Sequence, residues 1–171
     1  MLKLTGLTGI VIAFGLSGIL KAQQLKLRII LLEDFMQTTL ELKGRISYFK
    51  EPLPSVFGKV DKRDASKASE LLSAVEERIS DTDGGIREIW EEEVNHIYRD
   101  APLTPEDIEA IKYMGNFIGQ TNYENHLFHF SYLEEKLACQ ISESKANFKI
   151  KGPMYREIGF FIGAVFAILF I

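Results

Sequence analysis

A chain of 171 residues carrying 20 Lys and Arg against 24 Asp and Glu is about one domain long, and its composition excludes a disordered or collagen-like polymer. A single cysteine excludes an internal disulfide framework, and with a formal net charge of −4 no nucleic acid is expected as a partner. The averages hide a partition: Leu4–Leu20 and Ile158–Ile171 contain no charged residue, and every Asp and Glu lies between Glu33 and Glu157.

The first apolar run would extend roughly 26 Å as a helix, near the lower limit for crossing a hydrocarbon core of about 30 Å. Lys3 ahead of it imitates a signal peptide, but Leu20-Lys21-Ala22 is not a small-x-small cleavage site, so a retained transmembrane anchor over 1–21 is expected. Lys21, Lys26 and Arg28 follow this anchor, and Lys145, Lys149, Lys151 and Arg156 precede the terminal one. The positive-inside rule therefore assigns the domain between them, 22–152, to the cytoplasm.

From Ala22 to about Tyr48, Leu25, Ile29, Leu32, Met36, Leu40 and Ile46 fall mostly at helical spacings, which predicts that the first anchor continues into a long helix. Pro52-Leu53-Pro54 stops it, and Leu53–Val60 is predicted as a short helix. Ala68, Leu71, Leu72, Val75 and Ile79 define a helix over 65–79, ended by the Asp81-Thr82-Asp83-Gly84-Gly85 turn. Ile86, Ile89, Trp90, Val94 and Ile97 form the apolar stripe of the next helix. Thr104-Pro105-Glu106-Asp107 supplies a capping hydroxyl, a first-turn proline and acids at the dipole's positive end, opening a helix expected to run to about Gly119. After Gln120-Thr121-Asn122, a long helix carries Tyr123, Leu127, Phe130, Leu133, Leu137, Ile141 and Phe148. Gly152-Pro153 is expected to interrupt it before a second anchor over 153–171, whose fourteen uncharged residues make roughly 21 Å of helix. No segment sustains period-two alternation. The fold class is thus all-α, an antiparallel helical bundle between N-terminal and C-terminal transmembrane helices, with the first and last bundle helices as neighbours.

No nucleotide-binding, hydrolase or zinc motif occurs, so neither an enzyme nor a cofactor is expected and no catalytic residue is assigned. His126 and His129 share a helix face, but two imidazoles fall short of a metal site and point to packing. A ligand-binding or enzymatic alternative would draw on them together with Phe117, Phe128 and Phe130. Cys139 is expected as a small buried residue. Residues 61–109 carry fifteen acids against six bases, whereas 21–50 carry six bases against three acids. The acidic centre should lie away from anionic headgroups and could meet a basic partner surface. Its densest part is Glu88, Glu91, Glu92 and Glu93 around Trp90; the competing reading is a solvated helix face with Trp90 in the core. In the second anchor, Gly159 and Gly163 form a G-x-x-x-G face, either for self-association into a homo-oligomer or for pairing the two anchors.

Two blocks, Ile46-Ser47-Tyr48-Phe49-Lys50-Glu51-Pro52-Leu53 and Met154-Tyr155-Arg156-Glu157-Ile158-Gly159, together resemble the stage III sporulation protein AB family. Leu103-Thr104-Pro105-Glu106-Asp107 followed by Gly115-Asn116-Phe117-Ile118-Gly119-Gln120-Thr121-Asn122 is similar to that family's glycine-spaced helix pair. Lys43 and Arg45 stand where glutamates are usual, Asn122 and His126 where Asp and Gln are usual, and Gly152-Pro153 replaces continuous helix, implying a sharper bend here. The family is similar in turn to inner-membrane platform proteins of type II secretion and type IV pilus machines. The resemblance implies a platform in the secretion-like channel between mother cell and forespore, in the outer forespore membrane with its domain on the mother-cell side. It also implies a companion, stage III sporulation protein AA, resembling a secretion ATPase, which the glutamate cluster on the Trp90 helix would contact.

Overall fold

Helix-forming residues dominate both ends of the chain, and the computed structural model turns them into two very long helices. It describes residues 2–49, 57, 66–81, 85–118 and 123–169. In chain order the helices are α1 Leu2–Phe49, α2 Lys67–Asp81, α3 Ile86–Ile97, α4 Pro105–Tyr113, α5 Gly115–Ile118 and α6 Tyr123–Leu169. There is no strand among the described residues, so the protein is an all-α bundle. The short helix expected over Leu53–Val60 lies outside the described residues except for Phe57, and the Thr82–Gly84 and Gln120–Asn122 turns lie outside them as well. Among the described residues no helix is long and apolar enough to cross a membrane; the side chains of residues 1–12, most of the first apolar run, are not among them.

The chain divides into two compact units, one formed by Met1–Ile29 with Ser142–Ile171 and the other by Ile30–Ile141. In the first, the opening part of α1 packs antiparallel on the last part of α6. A methyl group added at Gly159 would sit 2.7 Å from the Phe14 carbonyl oxygen and 3.3 Å from the Gly18 Cα, one at Gly18 would collide with the Tyr155 carbonyl, and one at Gly15 would touch the Phe160 ring at 3.6 Å. Backbone thus meets backbone across this pair, which only glycine permits. The expected interruption at Gly152-Pro153 does not occur: α6 is continuous with Pro153 inside it. Pro153 removes one backbone donor and crowds the carbonyl of Lys149. Both residues are exposed, so that carbonyl lies on the open side of the helix, while Gly152 is buried under the Phe148 ring and packing on the other side carries the helix through.

In the second unit α1, α2, α3, α4, α5 and α6 enclose a core of Leu32, Phe35, Leu42, Ile46, Leu71, Leu72, Trp90, Ile111, Phe117, Phe130 and Leu137. The stripes on α2 and α3 are buried as their spacing demands, but on α1 Leu40 is 43% exposed while Phe35 and Leu42 take the interior. Cys139 is exposed rather than buried, because the buried positions around it on α6 are Leu133, Leu137, Gln140 and Ser144, and Cys139 falls off that face. Side chains reach between helices to finish their ends. Ser66 caps α2 by accepting from the Ser69 N–H at 3.0 Å, and its hydroxyl donates to Asp34 of α1 at 2.8 Å. Asp34 also accepts from the Ala68 N–H at 3.1 Å. Lys67 donates to the Ile97 carbonyl at the far end of α3, 2.8 Å away. Thr104 and Asp107 form a reciprocal capping box at the start of α4.

The helix expected to run from Pro105 to Gly119 is broken at Met114. The Ile111 carbonyl, which a continuous helix would offer to the Gly115 N–H, instead accepts from the Met114 N–H at 3.4 Å and from Trp90 Nε1 at 3.0 Å. Gly115 lies directly under the indole, where a Cβ would approach Trp90 Cδ1 to 2.7 Å. Gly115→Ala is therefore expected to destabilise the protein by about 1–3 kcal/mol through overpacking. Gly44→Ala, where nothing lies within 4 Å of the added methyl, should stabilise by about 0.5–1 kcal/mol through helix propensity. Denaturant unfolding of the full chain followed by the emission of its sole tryptophan checks both signs.

Candidate interaction surface

The hydrophobic stripe that buries Ile89, Trp90, Val94 and Ile97 forces the intervening residues of α3 outward, and these are the clustered glutamates. Each of the four is engaged. Glu88, in the first turn, folds its carboxylate back over Gly85, beside the positive end of the helix dipole. Glu91 accepts from Arg87 at 2.9 Å. Arg78 of α2 forks onto Glu92 at 2.8 Å and Glu93 at 2.7 Å. Glu93 is only 12% exposed beneath this guanidinium, whereas Glu92 is 66% exposed. Hydrogen bonds donated to Glu93 and then to Glu92 raise the Arg78 pKa above its ordinary value. Trp90, fully buried, belongs to the core.

The surface is thus an ion-paired lattice that still presents Glu88, Glu91 and Glu92 to solvent. Arg78 was not legible as a member of it from composition. The available signal was symmetry: folding α2 back on α3 about a turn near Gly85 places Arg78 opposite Glu92 and Glu93. Next to this lattice, Arg87, Glu91, Glu109, Lys112, Tyr113, Asn116 and Lys136 line an open groove of about 310 Å³, with three bases and two acids and hence no strong preference for either sign of charge.

His126 and His129 enter an aromatic cluster. The His129 ring stacks on Phe117 with centroids 5.1 Å apart and planes 9° from parallel, and its Nδ1 pairs with the Tyr113 hydroxyl at 2.7 Å. His126 is buried against the edge of Phe117, and Phe130 meets Phe117 edge-on at 5.1 Å. Phe128 stays outside at 71% exposure. These rings pack against one another instead of lining a cavity, and among the described residues no cluster of His, Cys, Asp and Glu is arranged to hold a metal. In the other unit, Gly159 sits on Gly18 as described above, and Gly163 is buried.

Tyr98, just after α3, is 2% exposed, and its hydroxyl has no hydrogen-bond partner among the described residues. Burial, with Asp34 and Glu70 adding like charge, pushes its pKa far above the ordinary phenol value. The Tyr113 phenol is also raised, by burial first and Tyr132 second. A raised folded-state pKa means that the neutral phenol contributes stability below the unfolded-state pKa of about 10, and that this stability is lost as pH climbs above it. Tyr98→Phe removes an orphaned hydroxyl, so it should be neutral or stabilising by up to about 1 kcal/mol at neutral pH. It should also flatten the fall in stability above pH of about 10, as unfolding curves at neutral and alkaline pH will read directly.

Comparison with known proteins places this arrangement. The family model for stage III sporulation protein AB matches residues 3–171. Among solved structures, that of a stage III sporulation protein AB superposes with a TM-score of 0.59 at 15% identity, covering 71% of this chain and 96% of that one. At that identity the likeness is one of fold. No curated protein matches the chain in sequence.

Proposed function

Because the chain belongs to the stage III sporulation protein AB family, whose model covers residues 3–171, we propose that it is a membrane-anchored, non-catalytic platform of a secretion-like sporulation apparatus. In this reading it couples a cytoplasmic ATPase to the membrane assembly. The observation that carries it is a separation of charge between the two units. Met1–Ile29 with Ser142–Ile171 holds eight Lys and Arg against two Glu, a formal +6, while Ile30–Ile141 holds twelve against twenty-two acids, a formal −10. The first unit also leaves Leu20, Phe160, Phe161 and Ile168 between 59% and 73% exposed, an apolar surface suited to lipid.

The chemistry of such a protein is positional. The apolar ends Leu4–Leu20 and Ile158–Ile171 anchor it, and the basic residues beside them hold the acidic bundle in the cytoplasm by the positive-inside rule, which in a sporulating cell is the mother-cell side of the outer forespore membrane. The bundle then meets a basic surface of an ATPase resembling stage III sporulation protein AA, with Glu88, Glu91 and Glu92 as the outward contacts and Glu93 held behind Arg78. Docking on the ion-paired lattice exchanges intramolecular arginine contacts for intermolecular ones, which favours rapid, salt-sensitive association over tight binding.

Full-length protein in nanodiscs should retain the companion ATPase in a pull-down at low salt and lose it as salt screens the contact. Glu91→Lys combined with Glu92→Lys should abolish retention, and Arg78→Gln, which releases two carboxylates to the partner, should strengthen it. Retention unaffected by both variants would reject this surface, and saturable binding of a small molecule without the ATPase would favour a ligand-binding role.

A further inference from the structure

We propose that the unit built from Met1–Ile29 and Ser142–Ile171 carries a collar selective for anionic phospholipid headgroups, formed by Lys21 and Lys26 of α1 with Lys149, Lys151 and Arg156 of α6. The inference rests on the membrane-anchored reading above and names the lipid class that the anchor prefers.

The register of the helix pair brings these residues to one level. Gly18 lies against Tyr155 and Gly159, Gly159 against Phe14, and Gly15 against Phe160, so positions whose numbers sum to about 175 face each other. The buried positions continue this pairing upward, with Ala22 across from Gly152 and Ile29 across from Ser144. In this register Lys26 is level with Lys149, Lys151 lies between Lys26 and Lys21, and Arg156 is just below Lys21. All five are exposed. At 1.5 Å per residue they occupy a band about 10 Å tall.

The sign of charge within the band is unopposed. On α1 no acid precedes Glu33, and on α6 none lies between Glu143 and Glu157, so the nearest acid is Glu157, directly after Arg156 at the lower edge of the band. At its lower edge and beyond, the pair turns apolar and open, with Leu16 at 53%, Leu20 at 59%, Phe160 at 59% and Phe161 at 71% exposure. A ring of cations bordering a bare apolar helix pair matches the interface where phosphates meet acyl chains. Basic clusters flanking a membrane helix attract anionic lipid there, and lysine stems can reach the phosphates while covering apolar surface. Continuity with the apolar surface distinguishes lipid from other polyanions.

The test is electron spin resonance of the full chain reconstituted in phosphatidylcholine bilayers containing a trace of spin-labelled phosphatidylglycerol or spin-labelled phosphatidylcholine. The collar predicts a motionally restricted component for both probes. Relative association should favour phosphatidylglycerol on the order of 5-fold at low salt and fall towards parity at about 1 M salt. The combined variant Lys26→Gln, Lys149→Gln, Lys151→Gln should lose the preference while keeping the restricted component. Restricted lipid without a headgroup preference, or a preference the triple variant retains, overturns the collar and leaves the anchor standing. No restricted lipid with either probe overturns the membrane reading itself, and the collar with it.

Discussion

The hydrogen bond from the Trp90 indole to the Ile111 carbonyl organises the acidic unit. A buried indole N–H left unpaired would be costly, and the acceptor it finds is a backbone carbonyl whose helical partner would have been Gly115. Ending α4 at that point brings Gly115 beneath the ring, where no side chain fits, and restarts the helix as α5. The turn in turn places Tyr113 and Phe117 against His129, and Phe117 against Phe130. Phe57 also packs near the indole, at a centroid distance of 6.2 Å. One core residue of α3 is therefore tied to the place where α4 ends and α5 begins, and its burial turns the glutamates beside it outward.

A second constraint is electrostatic and works between helices. Asp34 on α1 serves the first turn of α2 directly and through Ser66, so a helix end is satisfied by a residue more than thirty positions earlier. Lys67 answers from the start of α2 to the Ile97 carbonyl at the end of α3, and Arg78 joins the end of α2 to the acidic face of α3. Lys43 of α1 pairs with Glu134 of α6 at 2.7 Å. In this acidic unit, with a formal −10, three of the twelve bases thus join one helix to another. The acids that remain outward give this unit its surface character, and the other unit carries the opposite sign of charge.

The apolar stripes of α2 and α3, the capping box at Thr104 and the pairing of the first and last helices were legible because they follow from periodicity and local hydrogen-bonding chemistry, which neighbouring residues settle among themselves. Cys139 was misplaced, and the exposure of Leu40 has a related reason. Helical spacing defines a face, but α1 is covered on more than one side within the bundle, and which of Phe35, Leu40 and Leu42 turns inward depends on the neighbours that arrive later in the chain. Pro153 was read as a stop by its local cost, whereas the packing of Gly152 and Gly159 on either side outweighs the loss of a single hydrogen bond.

By itself the sequence determined an all-helical chain, the division of charge between its ends and its centre, and the family to which it belongs, since all of these reside in residue order and composition. Only the tertiary structure decided that Arg78 binds two of the clustered glutamates, that the helix after Pro105 breaks at Met114, and that Gly18 and Gly159 allow the terminal helices to touch through their backbones. Each of those outcomes turns on the distance between groups remote in sequence. Such distances are set by how whole helices pack, and no local pattern records them.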